Sequence, residues 1–266
     1  MTSPIAKQSL LSLILDRIYQ GDWTTFSRDW ESWRLTPKLT VIFTPNPEQV
    51  IQAKQSAAFL TVLLSADILL PDGTGIVWAC RRLQPNKKCG RLAGREVVEW
   101  WLKEASQRQI KTLLLGSRPG VAEALARQVD PHETWCIASG GYQDVRQPTK
   151  EEESAVRELI QTKQPEVVLV AFGAPWQETW ISEHRDLLEN NGVKLAMVCG
   201  GALDILSPAS ALKAPPPLIQ QLNLEWLYRL IKEPRRWRRQ LRLIQFIGLV
   251  MAEVMAEKLK TNDQTI

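Results

Sequence analysis

Short apolar runs alternate with longer amphipathic stretches along most of this chain. The apolar runs predict buried strands over 39–43, 67–70, 112–115, 135–138, 167–171 and 194–198. Stretches with apolar residues three and four positions apart predict helices over 48–58, 95–108, 121–128, 150–162 and 176–189. Strands that alternate with helices of this length are typical of a parallel sheet covered on both faces. We therefore predict an α/β fold with a Rossmann-like, mostly parallel sheet.

The two ends of the chain depart from this alternation. Residues 7–35 have helical spacing and are rich in tryptophan, which predicts two short helices joined near Gly21. Near the other end, the triplet Pro215-Pro216-Pro217 is the strongest break, and helical patterns follow over 222–232 and about 241–259. We divide the chain into an α/β domain, residues 1–212, and a basic helical C-terminal appendage, residues 213–266.

The charge of the chain is concentrated in that appendage. The composition is that of a globular protein, with 266 residues, 44% of them hydrophobic and 23% charged. Between Lys213 and Lys260 there are ten Lys or Arg against four Glu, a local balance of +6 within a net charge of +4. A basic end on a nearly neutral body favours a phosphate-rich partner, which is a membrane surface, a nucleic acid or a nucleotide-linked substrate.

Cysteine and histidine usage excludes several classes of protein. The four cysteines, Cys80, Cys89, Cys136 and Cys199, are widely spaced, and only two histidines are present. This spacing fits neither a zinc site nor a disulfide framework, so we expect reduced, buried thiols. The sequence has no uninterrupted apolar run of about 18 residues and no cleavable signal pattern. We expect a cytoplasmic protein without a membrane-spanning helix.

Polar and turn-forming residues follow at least five of the predicted strands. In parallel α/β sheets these strand ends gather at one edge, where ligands bind. The clearest case is Asp72-Gly73-Thr74-Gly75, which comes after the run 68–70 and Pro71 and leads into an apolar helix start. A carboxylate there takes a proton from a sugar hydroxyl or caps the helix, and capping is the commoner role.

Two other strand ends carry candidate binding groups. The loop from Gly116 to Gly120 is suited to cradling a phosphate, although it matches neither a P-loop nor the dinucleotide fingerprint and is also explained as a turn. The loop from Gly173 to Glu178 offers an amide, Gln177, and a carboxylate; both are also ordinary residues for the first turn of a helix.

The basic appendage has two alternative interpretations as well. The chain has no D-x-D motif, so the charge of a departing diphosphate would be met by arginines, such as the cluster 235–242, and by helix N-termini. The alternative is a solvated or lipid-facing basic surface. The last helix places Leu243, Ile247, Val250 and Val254 on one stripe, which is typical of membrane-surface helices but also of packing against the domain or a second subunit.

Taken together, these segments resemble the WecG/TagA/CpsF family of bacterial glycosyltransferases. They occur in family order from about residue 40 to residue 240. The matching segments are Thr44–Glu48, Ala66–Gly75, Arg91–Gly94, Leu115-Gly116, Pro119-Gly120, Gly141-Tyr142, Gly173–Pro175 with Gln177-Glu178 and Trp180, Gly200-Gly201 with Asp204, Leu224–Arg229 and Glu233–Arg236. The first 38 residues differ, because the short N-terminal strand expected in the family is not evident and tryptophan-rich helices replace it.

The resemblance implies a reaction and its partners. It implies an inverting, metal-independent transfer of an N-acetylmannosamine-type sugar from a UDP donor to a polyprenyl-diphosphate-linked N-acetylglucosamine, in cell-surface polysaccharide synthesis. No cofactor is implied beyond the UDP-sugar donor substrate. The implied location is the cytoplasm, peripheral on the inner face of an anionic membrane, with a homo-oligomer allowed and no nucleic-acid partner.

The resemblance also implies roles for individual residues. Asp72 resembles the general base that takes the proton from the acceptor hydroxyl. Thr44, Asn46, Arg91 and Gln177 look like polar residues of the sugar pocket. The segments implied for the nucleotide contain Gly141, Tyr142, Gly201 and Asp204, and the appendage would deliver Arg229, Arg236 and Arg239 to the diphosphate.

Two other functions remain open at this point. A nucleotide-binding oxidoreductase also uses a glycine-turned parallel sheet, although the dinucleotide fingerprint is missing. A non-catalytic module for a membrane surface or a nucleic acid explains the basic end, but gives no reason for the polar residues at five strand ends.

Overall fold

The protein is built around one parallel sheet. The computed structural model describes residues 9–211 and 237–263, together with residues 216, 219 and 228. The strands are β1 (Thr40–Phe43), β2 (Ile68–Leu69), β3 (Thr112–Gly116), β4 (Cys136–Ser139), β5 (Val167–Ala171) and β6 (Leu195–Val198). All six are parallel, in the order β2-β1-β6-β5-β3-β4. The predicted α/β, Rossmann-like fold is confirmed.

Helices connect the strands and flank them at both ends of the chain. They are α1 (Leu10–Asp16), α2 (Trp23–Arg34), α3 (Pro47–Gln55), α4 (Ala57–Leu64), α5 (Thr74–Leu83), α6 (Gly94–Arg108), α7 (Val121–Val129), α8 (Lys150–Lys163), α9 (Trp176–Glu183), α10 (Arg185–Asn190), α11 (Ala202–Leu206) and α12 (Trp237–Asp263).

Successive residues of each strand enter opposite layers of the core. In β5, Val168 and Val170 pack with α3, α4, α8 and α9, whereas Val167 and Leu169 pack with α2, α6, α7 and α11. All four valine and leucine side chains are fully buried. Because both faces of the strand are covered, it reads as a continuous apolar run, as parallel strands do. The carboxyl ends of the strands are then the edge of the sheet where polar residues collect.

The N-terminal region contains the two predicted helices and one additional contact with the sheet. Ile18 forms a parallel bridge with Leu69, and the backbone N–H of Tyr19 donates to the Leu69 carbonyl at 2.8 Å. A single bridging residue thus lies beside β2, where the sequence showed no strand. The aromatic side chains of α2 pack on α6, and the rings of Trp30 and Trp101 are 5.1 Å apart.

The last described helix, α12, packs on α3 and α5. Phe246 and Val250 are fully buried in this contact. Gly75 lies next to this contact: a Cβ atom there would lie only 2.6 Å from Cγ of Pro47 on α3 and 3.7 Å, an ordinary contact distance, from Cε1 of Phe246. Pro47 and Gly75 lie at the helix starts that follow β1 and β2, so α12 borders the polar edge of the sheet.

The opposite side of α12 carries exposed apolar side chains. They are Leu241, Ile244, Ile247, Met251, Met255 and Leu259. The predicted single stripe is therefore divided, because Val250 is buried while Ile247 is 44% exposed. In the described part of the chain, no helix combines the length and the apolar character that crossing a bilayer requires.

Candidate active site

Asp72 binds the start of α6. Its Oδ1 accepts a hydrogen bond of 3.3 Å from the backbone N–H of Gly94, the first residue of that helix. The N-cap of α5 is Gly73, so Asp72 is not the N-cap residue of that helix. The carboxylate is half-buried. A carboxylate at the N-terminus of a helix interacts favourably with the helix dipole.

Thr44 approaches the same glycine from β1. A Cβ atom at Gly94 would lie 3.5 Å from Oγ1 of Thr44. The N–H of Leu92 donates to the carbonyl of Pro71 at 3.1 Å and so holds the segment before α6 beside the Asp72 turn. We call Asp72, Thr44 and Gly94 the Asp72 corner. The structure thus brings together two of the predicted residues, a carboxylate and a hydroxyl.

Asn46 and Arg91 border this corner and have partners within the fold. Asn46 caps α3: its Oδ1 accepts from the N–H of Gln49 at 3.1 Å, and its own N–H donates to Oε1 of Gln49 at 3.0 Å. Arg91 donates to Oε1 of Glu96 on α6 at 2.9 Å. The cap fixes the end of the loop after β1, and the ion pair holds the partly buried Arg91 guanidinium on the first turn of α6.

Gln177 joins the loops that follow β5 and β6. Its Oε1 accepts hydrogen bonds from the N–H groups of Gly173, at 3.2 Å, and Gly200, at 3.1 Å. Its Nε2 donates to Oε1 of Glu178 at 3.0 Å. The side chain is buried. Gln177 therefore lies between the Asp72 corner, which follows β1 and β2, and the ends of the other strands of the sheet.

A cleft of about 560 Å³ opens at the ends of β3, β4, β5 and β6. Of the residues predicted to bind the nucleotide, Tyr142, Gly201 and Asp204 line it. Gly173 and Gly200, which Gln177 binds, line it as well. Asp72 and Thr44 lie outside its walls, on the β1 and β2 side. The polar edge therefore has two parts, the cleft and the Asp72 corner, with Gln177 between them.

Two buried polar atoms in the cleft have no hydrogen-bond partner among the described residues. They are Oγ of Ser117 and Oδ1 of Asp204, although Nε of Arg118 lies 3.5 Å from the latter. Ser117 also has a φ of 81°, which is uncommon for a residue other than glycine. Unpaired buried groups and a strained backbone are features of ligand sites. Sequence analysis missed Ser117, because only the glycines beside it were distinctive.

Tyr142 contributes its ring, rather than its hydroxyl, to the wall of the cleft. The hydroxyl donates to Oε2 of Glu153 at 2.8 Å and accepts from Nε1 of Trp180 at 2.9 Å. Burial raises the pKa of this hydroxyl above its ordinary value, and the bond to Glu153 adds to the shift. The preceding residue, Gly141, has a φ of 73°, and a Cβ there would lie 3.1 Å from Cδ1 of Leu115. A glycine is therefore needed to seat the Tyr142 ring at the cleft.

Three predicted arginines receive no structural description. Arg229 and Arg236 lie outside the described residues, and Arg239 falls within α12 but its side chain lies outside the described part. Within the described ranges, no three His, Cys, Asp or Glu side chains form a group suited to a metal ion. All four cysteines are buried and free, as predicted.

Glu178 is a buried acid whose importance the sequence did not reveal. Its Oε1 accepts hydrogen bonds from Nε2 of Gln49, at 2.6 Å, and from Nε2 of Gln177. Its Oε2 has no partner among the described residues. Burial raises the pKa of this carboxyl to about 7, against the smaller lowering effect of the two glutamine amides. Its position in the first turn of α9 is as predicted, but it faces the core.

We expect this carboxyl to make the protein less stable as the pH rises. Its pKa increases from 4.5 in the unfolded chain to about 7 in the fold, so in between the folded protein keeps a proton that the unfolded chain has lost. The free energy of unfolding should fall by about 2 to 3 kcal/mol between pH 5 and pH 8. Urea unfolding of the wild type and of Glu178→Gln, which cannot titrate, isolates the effect. A pH-independent difference between the two proteins would contradict it.

The fold and the polar edge of the sheet together indicate a class of protein. A parallel sheet with a carboxylate, a hydroxyl and amides at its strand ends, next to a cleft, is the architecture of α/β enzymes that act on nucleotide-linked substrates. The family model of the WecG/TagA/CpsF glycosyl transferases matches residues 15–260, and the chain belongs to this family. It is a glycosyltransferase.

The chain is also similar to a curated protein of this kind. The chain is 32% identical, over 218 residues, to an N-acetylglucosaminyldiphosphoundecaprenol N-acetyl-beta-D-mannosaminyltransferase of Bacillus subtilis (strain 168). The match covers 82% of this chain and 81% of the relative. The family assignment sets aside the oxidoreductase and the non-catalytic binding module.

Proposed function

We propose that this glycosyltransferase moves an N-acetylmannosamine-type sugar from a UDP donor to a polyprenyl-diphosphate-linked N-acetylglucosamine, with inversion and without a metal ion. The observation that carries the proposal is the arrangement of the polar edge, where a carboxylate corner adjoins a cleft with unpaired buried polar groups. The name of the Bacillus subtilis relative supports the choice of sugar and acceptor. The product would be a unit of a cell-surface polysaccharide.

The cleft is the proposed site of the UDP group. Its volume of about 560 Å³ is in the usual range for sites of small ligands. Arg118 and Arg146 bring guanidinium groups to its walls, and Trp176 brings an aromatic ring that is 39% exposed. Guanidinium groups suit phosphate oxygens, and an aromatic face suits a base. The Ser117 hydroxyl and the Asp204 carboxylate, which have no hydrogen-bond partner at Oγ and Oδ1 among the described residues, would bind ribose hydroxyls.

The Asp72 corner is the proposed site of proton removal. With the acceptor hydroxyl against Oδ2 or Oδ1, the ionised carboxylate takes its proton as the oxygen attacks the anomeric carbon. The bond from that carbon to the UDP oxygen breaks on the opposite face, which inverts the centre. Gly94 N–H stabilises the charged base before the reaction, and Thr44 is placed to hold a sugar hydroxyl. The sequence has no D-x-D motif, so arginines would stabilise the leaving diphosphate.

The exposed side of α12 supports a location at a membrane surface. Apolar side chains on an otherwise basic, peripheral helix bury into the interface of anionic bilayers. A lipid-linked acceptor requires that the enzyme reach this surface. We therefore propose a location on the inner face of the membrane.

Calorimetric titration with a panel of UDP-sugars, with and without magnesium, tests the donor assignment. We expect UDP-N-acetylmannosamine to bind in both conditions, and Asp204→Asn to weaken its binding about tenfold, because one hydrogen bond of this kind contributes roughly 1 to 2 kcal/mol. Asp186→Asn, an exposed acid on α10, is the matched control and should bind as the wild type does. Binding that requires magnesium would contradict the metal-independent form of the proposal.

A further inference from the structure

A chain of buried hydrogen bonds connects the two parts of the polar edge. It runs from Asn46 through Gln49 to Glu178, and from Glu178 through Gln177 to Gly173 and Gly200. Gln49, Gln177 and Glu178 are each at most 3% exposed. This series of hydrogen bonds therefore joins the loops after β1, β5 and β6. Glu178, the one acid in the series, lies at its centre.

We propose that Glu178 is a positioning residue for sugar transfer, because it fixes both glutamine amides and through them the three loops that carry the site. The role of the loops in transfer rests on the proposed function, whereas the fixing of the amides does not. Glu178 itself touches neither the Asp72 corner nor the walls of the cleft among the described residues.

The argument begins with the orientation of Gln177. A glutamine amide has one oxygen that accepts and one NH₂ group that donates. The oxygen accepts from the N–H groups of Gly173 and Gly200, which have nothing to offer an NH₂ group in its place. The NH₂ group therefore points the other way and needs a buried acceptor. Oε1 of Glu178 is that acceptor.

The same argument holds for Gln49 on the other side. Its oxygen accepts from the N–H of Asn46 in the capping box of α3, so its NH₂ group also needs an acceptor. Oε1 of Glu178 accepts from this group at 2.6 Å. A single oxygen thus sets the direction of two amides. Without it, each buried NH₂ group lacks an acceptor, which costs roughly 1 to 3 kcal/mol, and a side chain that moves to relieve this takes its oxygen away from the N–H groups at the strand ends.

The consequence for catalysis is geometric. The loop after β1 leads from Thr44 into α3, on the side of the Asp72 corner, while the loops after β5 and β6 form walls of the cleft. Donor and acceptor are placed by these separate loops, and a misplacement of about 1 Å between reacting groups costs roughly 100-fold in rate. Loss of the acceptor at Glu178 should therefore lower kcat more than it changes KM for the donor.

The test compares three substitutions of Glu178. Glu178→Gln keeps an acceptor oxygen in the same place, and we expect kcat within about threefold of the wild type. Glu178→Met has a similar size but no acceptor, and we expect kcat to fall about 100-fold with donor KM changed less than threefold. Glu183→Met, an exposed acid on the same helix, is the control and should have no effect. Circular dichroism and thermal unfolding establish that each variant is folded.

Hydrogen exchange provides a readout that does not depend on any substrate. In Glu178→Met the backbone amides of Gly173, Gly200 and Asn46 should exchange at least tenfold faster, and in Glu178→Gln they should be unchanged. If Glu178→Met does not fold, Glu178→Asp, which withdraws the carboxyl by one methylene group, should show the same faster exchange and loss of kcat.

The outcomes separate this proposal from the proposed function. Wild-type protein that transfers no sugar from any UDP donor would overturn the proposed function, and the exchange rates would still decide whether Glu178 fixes the loops. Folded Glu178→Met with unchanged exchange, or with wild-type kcat in an active enzyme, overturns the positioning role. Glu178→Gln as impaired as Glu178→Met would overturn it too, because the acid itself rather than its acceptor oxygen would then be required.

Discussion

Asp72→Asn is expected to fold normally, to bind the UDP donor and to lose sugar transfer by about 100- to 10 000-fold, the usual contribution of a general base. The asparagine oxygen can still accept from the N–H of Gly94, which is the hydrogen bond of Asp72 to the start of α6. What is lost is the negative charge that takes a proton from the attacking hydroxyl. The effect should therefore appear in kcat, with donor affinity unchanged.

The measurement is turnover with a lipid-linked N-acetylglucosamine acceptor, beside calorimetric binding of the donor. Glu99→Gln is the matched control, because it removes a carboxylate from the middle of α6, where the side chain is partly exposed and pairs with Lys103. Near wild-type turnover of Asp72→Asn on the right substrates would end the assignment of Asp72 as the base. The Thr44 hydroxyl would then be the next group at the corner to examine.

Removing the chain after Pro217 is expected to abolish both vesicle binding and transfer to a lipid-linked acceptor. This deletion takes away the basic segment and the exposed apolar side of α12. It also takes away Phe246 and Val250, whose burial against α3 and α5 belongs to the fold. A fully active truncated protein would overturn the role of the arginines. An inactive one needs a second variant that leaves the fold intact.

That variant replaces three exposed residues, Ile244, Ile247 and Met251, with glutamine. They are 66%, 44% and 42% exposed, so their loss should barely change the free energy of unfolding. Burying such side chains in a bilayer interface stabilises binding by roughly 1 kcal/mol each, so affinity for anionic vesicles should fall about 100-fold. Gln245→Ala, an exposed polar position between them, is the control. Wild-type vesicle affinity in the triple variant would contradict membrane docking through this side of α12.

The sheet was predictable because its strands are covered on both faces. Runs such as Val167–Ala171 are apolar at every position, and no helical stripe competes with them. The ends of the helices were harder to predict from the sequence. The helix predicted over 48–58 ends at Gln55, where Ser56 takes an extended conformation and caps α4, and the helix over 176–189 is divided at His184. Local polar caps thus override the apolar spacing at both places.

The candidate site was predictable only where a residue stands at a strand end. Asp72 and Thr44 meet at Gly94 as the topology requires, and Tyr142, Gly201 and Asp204 line the cleft. Glu178 could not be recognised, because an acid in the first turn of a helix is usually solvated and its burial depends on Gln49, 129 positions away. The division of α12 into a buried side and an exposed side could not be predicted for a similar reason. The spacing of its apolar residues alone does not say which side the domain covers.

The packing of α12 on α3 and α5 gives this helix two different surfaces. Its inward flank packs against the helix starts at Pro47 and Gly75, so a substitution there would disturb the turn that follows Asp72. Its outward flank is exposed in the part of the chain that the structure describes. Under the proposed membrane docking, substitutions on the outward flank would change vesicle binding and leave the turn after Asp72 undisturbed.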